Sequence, residues 1–487
     1  MELLALVKHD CPVCDQLLPA LDSAGVRVVS QSDPEETADQ ARRLGLSAVP
    51  SVDEDLALSE RFDPDAVPAV LLLDGGEERA RVEGLDTERL AEVAARAGVA
   101  LDLDGLPARR PGCASRTRDP EVALRLAARR ARAEGRIQAR TLTVGGLEDP
   151  VEALHDRGLT DGLPVVAPTP ERVVALLEGT SRDPRELVAE LPPYGGRATV
   201  EKVAINAVMA GCLPEHLPVV LAAVEAAADE AFALHGLLAT TMPVGPLVVV
   251  SGPLAGEIGM ESGGNLLGQG NRANLSIGRA LQLVGRNVGG GRPRREDRAT
   301  HGQMGKLGAC FAERLDATAP WEGLAQARGI PGGETGVTVF SAEAPRVIVD
   351  QLGREPEALS ATLAFALESV ASPRQRLAFD ALLLVGPEHG RVFREHGWSR
   401  ERVQQELFDR TTSPAGTLVR GVDGSAEGLL PEWVTDPEAG VPKFAATDRI
   451  LLAYGGGDAG LFSMVFGGWA SGEIGSAPVT RSVEPWR

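Results

Sequence analysis

Hydrophobic positions along the first fifth of the chain follow the pattern of a small α/β unit. Apolar runs typical of strands, such as ELLALV, VRVVSQ and AVLLLDGG, alternate with segments of helical periodicity such as PEETADQARRLGL and DTERLAEVAARAG. The predicted order is strand, helix, strand, helix, strand, a turn into ERARVEG, and a closing helix. We therefore expect a separate α/β domain over residues 1–98.

The next segment, residues 99–145, has the composition of a connector. Prolines and Gly112 interrupt its first half, and an alanine- and arginine-rich helix is predicted after Pro120. Ten arginines stand against three acidic residues between Arg109 and Arg140. The favoured interpretation of this charge is a solvated helix face docked against acidic neighbours.

The rest of the chain, residues 146–487, repeats the α/β pattern on a larger scale. Continuous apolar strands are predicted at PLVVVSGP, TGVTVFSA, FDALLLVGPEH and DRILLAYGGG, with helical stretches between them. Strands without alternation indicate a sheet that is covered on both faces. We expect a large α/β domain with a mostly buried sheet, which could divide into two lobes.

Composition narrows the class of protein. A chain of 487 residues is too long for one ordinary core, and no apolar run is long enough to span a bilayer. The N-terminus enters a strand pattern without a basic region or a cleavage site, so we expect a soluble cytoplasmic protein without a membrane partner. The formal net charge of −20 disfavours nucleic acid as a partner, because the chain repels polyanions.

Five cysteines without an export signal indicate thiol chemistry instead of a disulfide framework. Two of them, Cys11 and Cys14, form the motif Cys-Pro-Val-Cys between a predicted strand and a predicted helix. At a helix start, unpaired N–H groups and the helix dipole favour a thiolate, so Cys11 is predicted as the nucleophile and Cys14 as the resolving thiol. Lys8 would favour the thiolate further. The alternative is half of a zinc site, which would need a second pair of ligands.

The motif Cys-Pro-Val-Cys and Pro68 in AVPAV together resemble the thioredoxin and glutaredoxin superfamily over about the first fifth of the chain. The resemblance implies a thioredoxin-like domain with a cis-proline at Pro68 beside a redox-active dithiol. No tryptophan precedes Cys11, and Pro-Val stands where thioredoxin has Gly-Pro. The stretches GLTDGLPVVAPTPERV and TVEKVAINAVMAGC resemble a bacterial family with no settled reaction, which implies a domain boundary and no mechanism.

A glycine-rich loop before a predicted helix is the first candidate binding site of the large domain. Gly268, Gly270 and Ala273 match G-x-G-x-x-[G/A], although the preceding strand ends too early for a dinucleotide fingerprint. N–H groups at a helix start suit a phosphate or carboxylate, which Arg272 and Arg279 could bind. The alternative is a tight polar loop held by its asparagines. Those asparagines are Asn265, Asn271 and Asn274, of which Asn271 and Asn274 are also predicted to bind the substrate together with Gly268 and Gly270. The later stretch AYGGGDAG could form a second loop over the same pocket.

The helix predicted over TVEKVAINAVMAGC is the second candidate. Lys202 and Asn206 lie one turn apart on it and are predicted to bind substrate. The alternative is an amphipathic helix whose polar stripe faces water, with Cys212 as a small core residue.

These features predict a thiol-dependent oxidoreductase or sulfur-transfer enzyme without a cofactor or a metal. Its dithiol would exchange electrons or sulfur with a cysteine that serves a small-anion site in the large domain. Cys113 is the favoured cysteine, since it lies in a connector that we expect to be flexible enough to swing toward Cys11; Cys212 and Cys310 stay open. A thiol reductant or disulfide reductase and a small anionic substrate are the predicted partners, and homo-oligomer formation stays open. The alternatives are a redox-neutral lyase or transferase, or a ligand-binding protein, with the thioredoxin-like unit as a protective or docking module.

Overall fold

The computed structural model describes residues 1–422, 426, 427, 429, 435–471 and 475–487. The chain forms two compact units, Met1–Glu134 and Gly135–Arg487. No helix within the described ranges is long and apolar enough to cross a membrane.

The first unit is built around a five-stranded mixed sheet in the order β3-β2-β1-β5-β6. Its elements are β1 (Glu2–Val7), α1 (Pro12–Ser23), β2 (Arg27–Ser30), α2 (Pro34–Leu44), β3 (Ser51–Val52), α3 (Ala57–Phe62), β4 (Ala66–Val67), β5 (Ala69–Asp74), β6 (Glu77–Glu83), β7 (Leu85–Asp86), α4 (Thr87–Arg96), β8 (Arg109–Arg110), β9 (Cys113–Ala114) and α5 (Pro120–Ala133). Strands β1, β2 and β3 are parallel, whereas β5 and β6 run antiparallel to their neighbours. The α/β order predicted for this region is confirmed.

The core of the first unit explains why the central strands read as uninterrupted apolar runs. Strands β1 and β5 are buried along almost their whole length, and the apolar sides of α1 and α4 pack into the same core. Leu17 and Leu21 lie one helical turn apart on α1, as burial of one helix side requires.

The predicted connector does not stand apart from the two units. Residues up to Glu134 belong to the first unit, where β8 pairs with β7 and β9 pairs with β4. Its arginines face acidic residues of that unit: Arg118 pairs with Asp63 and Asp65, and Arg129 and Arg130 pair with Glu60. Charge complementarity within the first unit therefore accounts for these three arginines.

The second unit contains the remaining helices and strands. They are α6 (Pro150–Asp156), α7 (Pro170–Leu177), β10 (Leu187–Leu191), β11 (Gly196–Thr199), α8 (Val200–Ala210), α9 (Leu217–Ala228), α10 (Leu234–Ala239), β12 (Gly245–Ser251), α11 (Pro253–Glu257), α12 (Arg272–Val284), β13 (Ala309–Ala312), α13 (Leu324–Ala327), β14 (Gly336–Ala342), β15 (Arg346–Val349), α14 (Pro356–Glu368), β16 (Ala381–Val385), α15 (Pro387–Glu395), α16 (Arg400–Arg410), β17 (Ser413–Pro414), β18 (Gly440–Val441), β19 (Ile450–Tyr454), β20 (Phe462–Gly467) and β21 (Val479–Ser482). The four predicted apolar strands are β12, β14, β16 and β19.

Two four-stranded mixed sheets, β13-β12-β14-β21 and β15-β20-β16-β19, replace the one sheet that we predicted. Alternate residues of each sheet face the other sheet, as Leu247 and Leu382 do in one shared core. The opposite faces pack on helices: Val248 lies in a core with α8, α9 and α12, and Leu383 in a core with α14 and α16. Both faces of each strand are thus buried, which is why the strands show no hydrophobic alternation.

Candidate functional site

Cys11 lies at the start of α1 and is the N-cap residue of that helix. The chain leaves β1 at Val7, and Pro12 occupies the first helical position, where its missing N–H is not needed. The Cys11 Sγ accepts the backbone N–H of Cys14 at 3.2 Å. The sulfur of Cys11 thus takes the place that a serine or aspartate oxygen often has at a helix N-cap.

The pKa of the Cys11 thiol is lowered to about 5. The hydrogen bond from the Cys14 thiol is the largest cause, and burial opposes it; the thiol of Cys113 and the backbone N–H groups of Cys14 and Cys113 lower the pKa further. Donors directed at the sulfur stabilise its charged form. The lowered pKa therefore favours the thiolate form of Cys11 at neutral pH.

Cys113 reaches Cys11 through a short strand pairing. β9 runs antiparallel to β4, with Cys113 opposite Val67, and the Cys11 Sγ lies 3.4 Å from the Val67 carbonyl oxygen. The peptide bond between Val67 and Pro68 is cis, and Pro68 is buried beside this pair. The site thus brings together Cys11, Cys14, Cys113 and Pro68.

Two glycines permit the close approach of this segment. A Cβ atom on Gly112 would come within 2.7 Å of the Val67 carbonyl oxygen, and one on Gly84 within 2.6 Å of Gly112 N. Gly84 also has φ of +76°, a conformation that favours glycine. Larger side chains at either position would push β9 away from β4.

A buried amide holds the chain just after Cys113. Gln31 donates to the hydroxyls of Ser59 and Ser115, both at 2.9 Å, and accepts the backbone N–H of Arg116 at 2.9 Å. We expected a flexible connector that swings Cys113 toward Cys11. The swinging motion is the part of this expectation that is wrong. Strand pairing and side-chain hydrogen bonds already hold Cys113 against Cys11.

Of the three neighbouring cysteines, only Cys11 is favoured as a thiolate, and the other two are favoured as thiols. The pKa of Cys113 is raised to about 11, first by burial and then by the neighbouring Cys11; the pKa of Cys14 is raised by the same two causes in the same order. Two thiolates in contact would repel, so ionisation of Cys11 keeps the other two thiols protonated. Lys8 lowers the pKa of Cys113, as its positive charge favours a thiolate.

The glycine-rich loop of the second unit is held by its own asparagines. Asn271 is the N-cap of α12 and accepts the N–H of Asn274 at 2.8 Å, and its Nδ2 donates to the Gly259 carbonyl oxygen. Asn274 is buried and donates to the carbonyl oxygens of Glu261 and Leu266. The hydrogen bonds of both side chains are thus made within the loop, as the alternative interpretation of this stretch requires.

Several of the remaining polar groups near this loop also bond to the protein itself. Asn265 donates to the Gln269 carbonyl oxygen at 2.7 Å, and a Cβ on Gly268 would meet that asparagine side chain. Gly270 has φ of +111°, so a turn requires it. Arg272 donates to the Gly211 carbonyl oxygen at 2.8 Å.

The other predicted substrate residues lie apart from this loop. Arg279 forms a two-pronged ion pair with Asp161, at 2.7 and 2.8 Å, so a bound anion would have to compete with that carboxylate. Asn206 accepts the Asn287 side-chain amide at 2.8 Å, beyond the C-terminal end of α12. That helix has 13 residues, about 20 Å, so Gly268 and Asn206 do not form one site. Lys202 is exposed and donates to the Arg197 carbonyl oxygen.

A cavity of about 290 Å³ lies between the glycine-rich loop and the later glycine stretch. Its lining includes Asn265 to Gly268, Gly386 and Pro387 at the start of α15, and Gly455 to Gly457. The two loops therefore line one cavity, as the glycine patterns indicated. None of the described residues that line it is charged, so it does not resemble the predicted anion site.

The cysteines of the second unit are buried away from any such network. Burial raises the pKa of Cys212 to about 12 and raises that of Cys310 as well. Among the residues described, no group of three or more histidine, cysteine or acidic side chains has the arrangement of a metal site.

Sequence reasoning missed the residues that place Cys113: Val67, Gly112 and Gln31. The Pro-Gly pair before Cys113 in RPGCAS was the available signal, because it indicates a turn with close backbone packing. Nothing in the sequence showed that Val67 would be the strand partner.

No protein-family model matches the sequence, and no curated protein matches it. Among solved structures, StoA from Bacillus subtilis is similar to part of the chain, at 20% identity and a TM-score of 0.17. The match covers 19% of this chain and 81% of StoA. A likeness of this extent carries no functional meaning by itself.

Proposed function

We propose that the first unit is a thiol–disulfide oxidoreductase. Its three cysteines transfer a disulfide bond from the half-buried Cys113 through Cys11 to the buried Cys14. The observation that carries the proposal is that Cys113 and the Cys11 sulfur both lie against Val67, so that the two thiols shift each other's pKa, while the Cys11 sulfur accepts the backbone N–H of Cys14. A nucleophilic sulfur thus has a second sulfur on either side. Thiol–disulfide exchange needs this arrangement of thiolate and neighbouring sulfur.

The order of the relay follows from exposure. Cys113 is half-buried, whereas Cys11 is 1% exposed and Cys14 is 0% exposed. A substrate therefore meets Cys113 first. Cys11 is the middle sulfur, and Cys14 is the innermost.

The first step takes place at Cys113. The Cys113 thiol passes its proton to the neighbouring Cys11 thiolate and attacks a substrate disulfide R–S–S–R, which yields a mixed disulfide of Cys113 with R–S and releases R–S⁻. The released R–S⁻ takes up that proton from Cys11 and leaves as R–SH, so the Cys11 thiolate is restored. The Cys11 thiolate then attacks the Cys113 sulfur, which forms a Cys11–Cys113 disulfide and releases R–S⁻. The substrate has gained two electrons, and the protein has lost two.

The second step moves the disulfide inward and frees the outer thiol. The Cys14 thiol attacks the Cys11 sulfur, which forms a Cys11–Cys14 disulfide, and its proton passes to the departing Cys113 sulfur. An external dithiol reductant then reduces this disulfide and becomes oxidised itself. Because all three sulfurs belong to one unit, the exchange between them is intramolecular and has a high effective concentration.

The predicted small anionic substrate of the large domain stays a prediction. The residues predicted to bind it are separated or already paired, so they give this part of the proposal no support. A redox-neutral enzyme or a ligand-binding protein with a protective dithiol is the second candidate. This second candidate predicts a different result: under fully reducing conditions, its enzymatic or binding activity would be the same with and without Cys11.

The relay is tested by mapping which cysteine forms a disulfide with Cys11 in the Cys14→Ser protein. The full chain is treated with oxidised glutathione, quenched with acid and analysed by peptide mass spectrometry. We expect the Cys11–Cys113 disulfide as the main product, because Cys113 is in contact with the thiolate.

The matched control carries both Cys14→Ser and Cys113→Ser. In that protein Cys11 has no neighbouring thiol, so no disulfide of Cys11 with another cysteine of the first unit should form, and any glutathione adduct on Cys11 should persist. The relay is wrong if Cys14→Ser protein accumulates the glutathione adduct on Cys11 while Cys113 stays reduced.

A further inference from the structure

A second cavity in the large unit is lined by four arginines. It has a volume of about 540 Å³ and lies at the C-terminal end of α12. The arginines are Arg286, Arg292, Arg294 and Arg295, and the opposite wall contains Thr160, the carboxylate of Asp161 and Gly162. The volume is within the range of pockets that hold small ligands.

The end of α12 brings these arginines together. The helix continues into a single π-helical turn, Gly285–Gly289, and Gly290 has φ of +91°. The chain then folds back in a turn in which Arg295 N donates to the Arg292 carbonyl oxygen at 3.2 Å. Arg286, inside the π turn, thus faces the same opening as the three arginines that follow the reversal.

The carboxylates around the opening are already paired. Asp161 is bound by Arg279, and Asp297 by Lys306 at 2.8 Å. Glu296 accepts the hydroxyl of Tyr194 and the Arg292 backbone N–H. Across the part of the chain that the structure describes, none of the four lining arginines forms an ion pair, so the opening is positively charged within a chain of net charge −20.

One guanidinium carries an unused donor. The Nε of Arg286 is buried and has no hydrogen-bond partner, while its other end reaches the Gly158 carbonyl oxygen at 3.4 Å. Burial lowers the pKa of Arg286, and the nearby Arg292 lowers it further. A buried donor without a partner is costly, and an anion that reached this nitrogen would remove that cost.

We propose that this arginine-lined cavity binds a small ligand that carries at least two negative charges on phosphoryl or carboxylate oxygens. Planar guanidinium groups bind both kinds of oxygen in a two-pronged manner, which suits a compact polyanion. Glycines at positions 158 and 162 let such a ligand approach the backbone of the opposite wall. This inference does not rest on the thiol relay.

Two residues from the sequence prediction hold the walls of the cavity. Arg279 binds Asp161 and the Pro164 carbonyl oxygen, and so fixes the loop that carries Thr160. Asn206 accepts from Asn287, whose amide also donates to the Leu159 carbonyl oxygen at 2.9 Å. Both act as positioning residues and do not face the ligand.

The proposal is tested by titration calorimetry on the full-length reduced protein with inorganic pyrophosphate and with propane-1,2,3-tricarboxylate. We expect saturable binding of at least one probe, weaker at higher salt because the contacts are ionic. Arg286→Gln and Arg292→Gln should each weaken binding about tenfold or more, a loss of about 1.4 kcal/mol. The preferred probe identifies phosphoryl or carboxylate oxygens as the recognised group.

Arg374→Gln is the matched control, because Arg374 is an exposed arginine of the same unit that does not line the cavity. It should bind the probes as the unchanged protein does. If Arg286→Gln does not fold, as judged by circular dichroism, the exposed pair Arg294→Gln and Arg295→Gln provides the comparison. The site is refuted if neither probe binds saturably, or if the cavity variants bind as tightly as the control.

Discussion

Cysteines of the two units have similar burial and opposite acid–base behaviour. Cys11 is 1% exposed, Cys310 5% and Cys212 6%. Yet the pKa of Cys11 is lowered to about 5, whereas burial raises the pKa of Cys212 to about 12. Burial alone therefore does not decide thiol reactivity in this protein.

The difference lies in what faces the sulfur. Cys11 stands at a helix start, where its Sγ accepts the backbone N–H of Cys14, and the neighbouring thiols of Cys14 and Cys113 lower its pKa. Cys310 lies within β13 among apolar side chains, where a thiolate would have no donor. Donors directed at the sulfur outweigh desolvation in the first unit, and desolvation prevails in the second.

The largest expected effect is in the thiolate content of the reduced protein. At pH 7 we expect one thiolate per chain by absorbance near 240 nm, whereas an ordinary cysteine is only a few per cent ionised. Cys11→Ser should remove this absorbance, and Cys212→Ala should leave it unchanged. Persistence of the signal in Cys11→Ser would place the charge on another sulfur.

A smaller effect is expected in the pH dependence of stability. The folded pKa of Cys11 is about 5 and an unfolded thiol titrates near 8.5, so the folded state binds fewer protons between these values. The free energy of unfolding should therefore rise with pH across this window, by at most about 1.4 kcal/mol per pH unit, and this gain is lost as pH falls through about 5. The raised pKa values of Cys14 and Cys113 change the free energy of unfolding only at pH values above the ordinary thiol pKa. Below that pKa both thiols are protonated in the folded and in the unfolded protein.

The measurement is denaturant unfolding of the reduced protein at pH 5, 6, 7 and 8, with Cys11→Ser as the reference. The difference between the two proteins isolates the Cys11 contribution from the many carboxylates. A difference that stays constant over this range would contradict a thiolate held by the fold.

The smallest expected effect concerns the placement of Cys113. Gly112→Ala would bring a Cβ within 2.7 Å of the Val67 carbonyl oxygen, so β9 should shift away from Cys11. In the Cys14→Ser background we expect a several-fold lower yield of the Cys11–Cys113 disulfide, and the pKa of Cys11 should rise. Gly146→Ala is the control, because nothing lies within 4 Å of its added Cβ. An unchanged yield would show that β9 does not govern the contact.

Much of the first unit was predictable because its signals are local. The motif Cys-Pro-Val-Cys between a strand and a helix specifies an N-cap sulfur whatever the rest of the chain does. The strand and helix order follows equally from hydrophobic periodicity. The predicted binding site of the large unit could not be predicted in this way. Gly268 and Asn271 belong to a loop pattern that is compatible with anion binding and equally with a tight turn whose polar groups bond to one another.

The amino-acid sequence by itself determined the α/β class, the dithiol at the front of the chain and the four apolar strands of the large unit. These depend on contacts between residues close in the chain. Tertiary structure alone decided that β9 lies against β4, which joins Cys113 to Cys11, and that Arg286 faces the arginines beyond the helix end. Both depend on backbone approach and side-chain pairing between distant residues, such as Asp161 with Arg279, which no local pattern specifies.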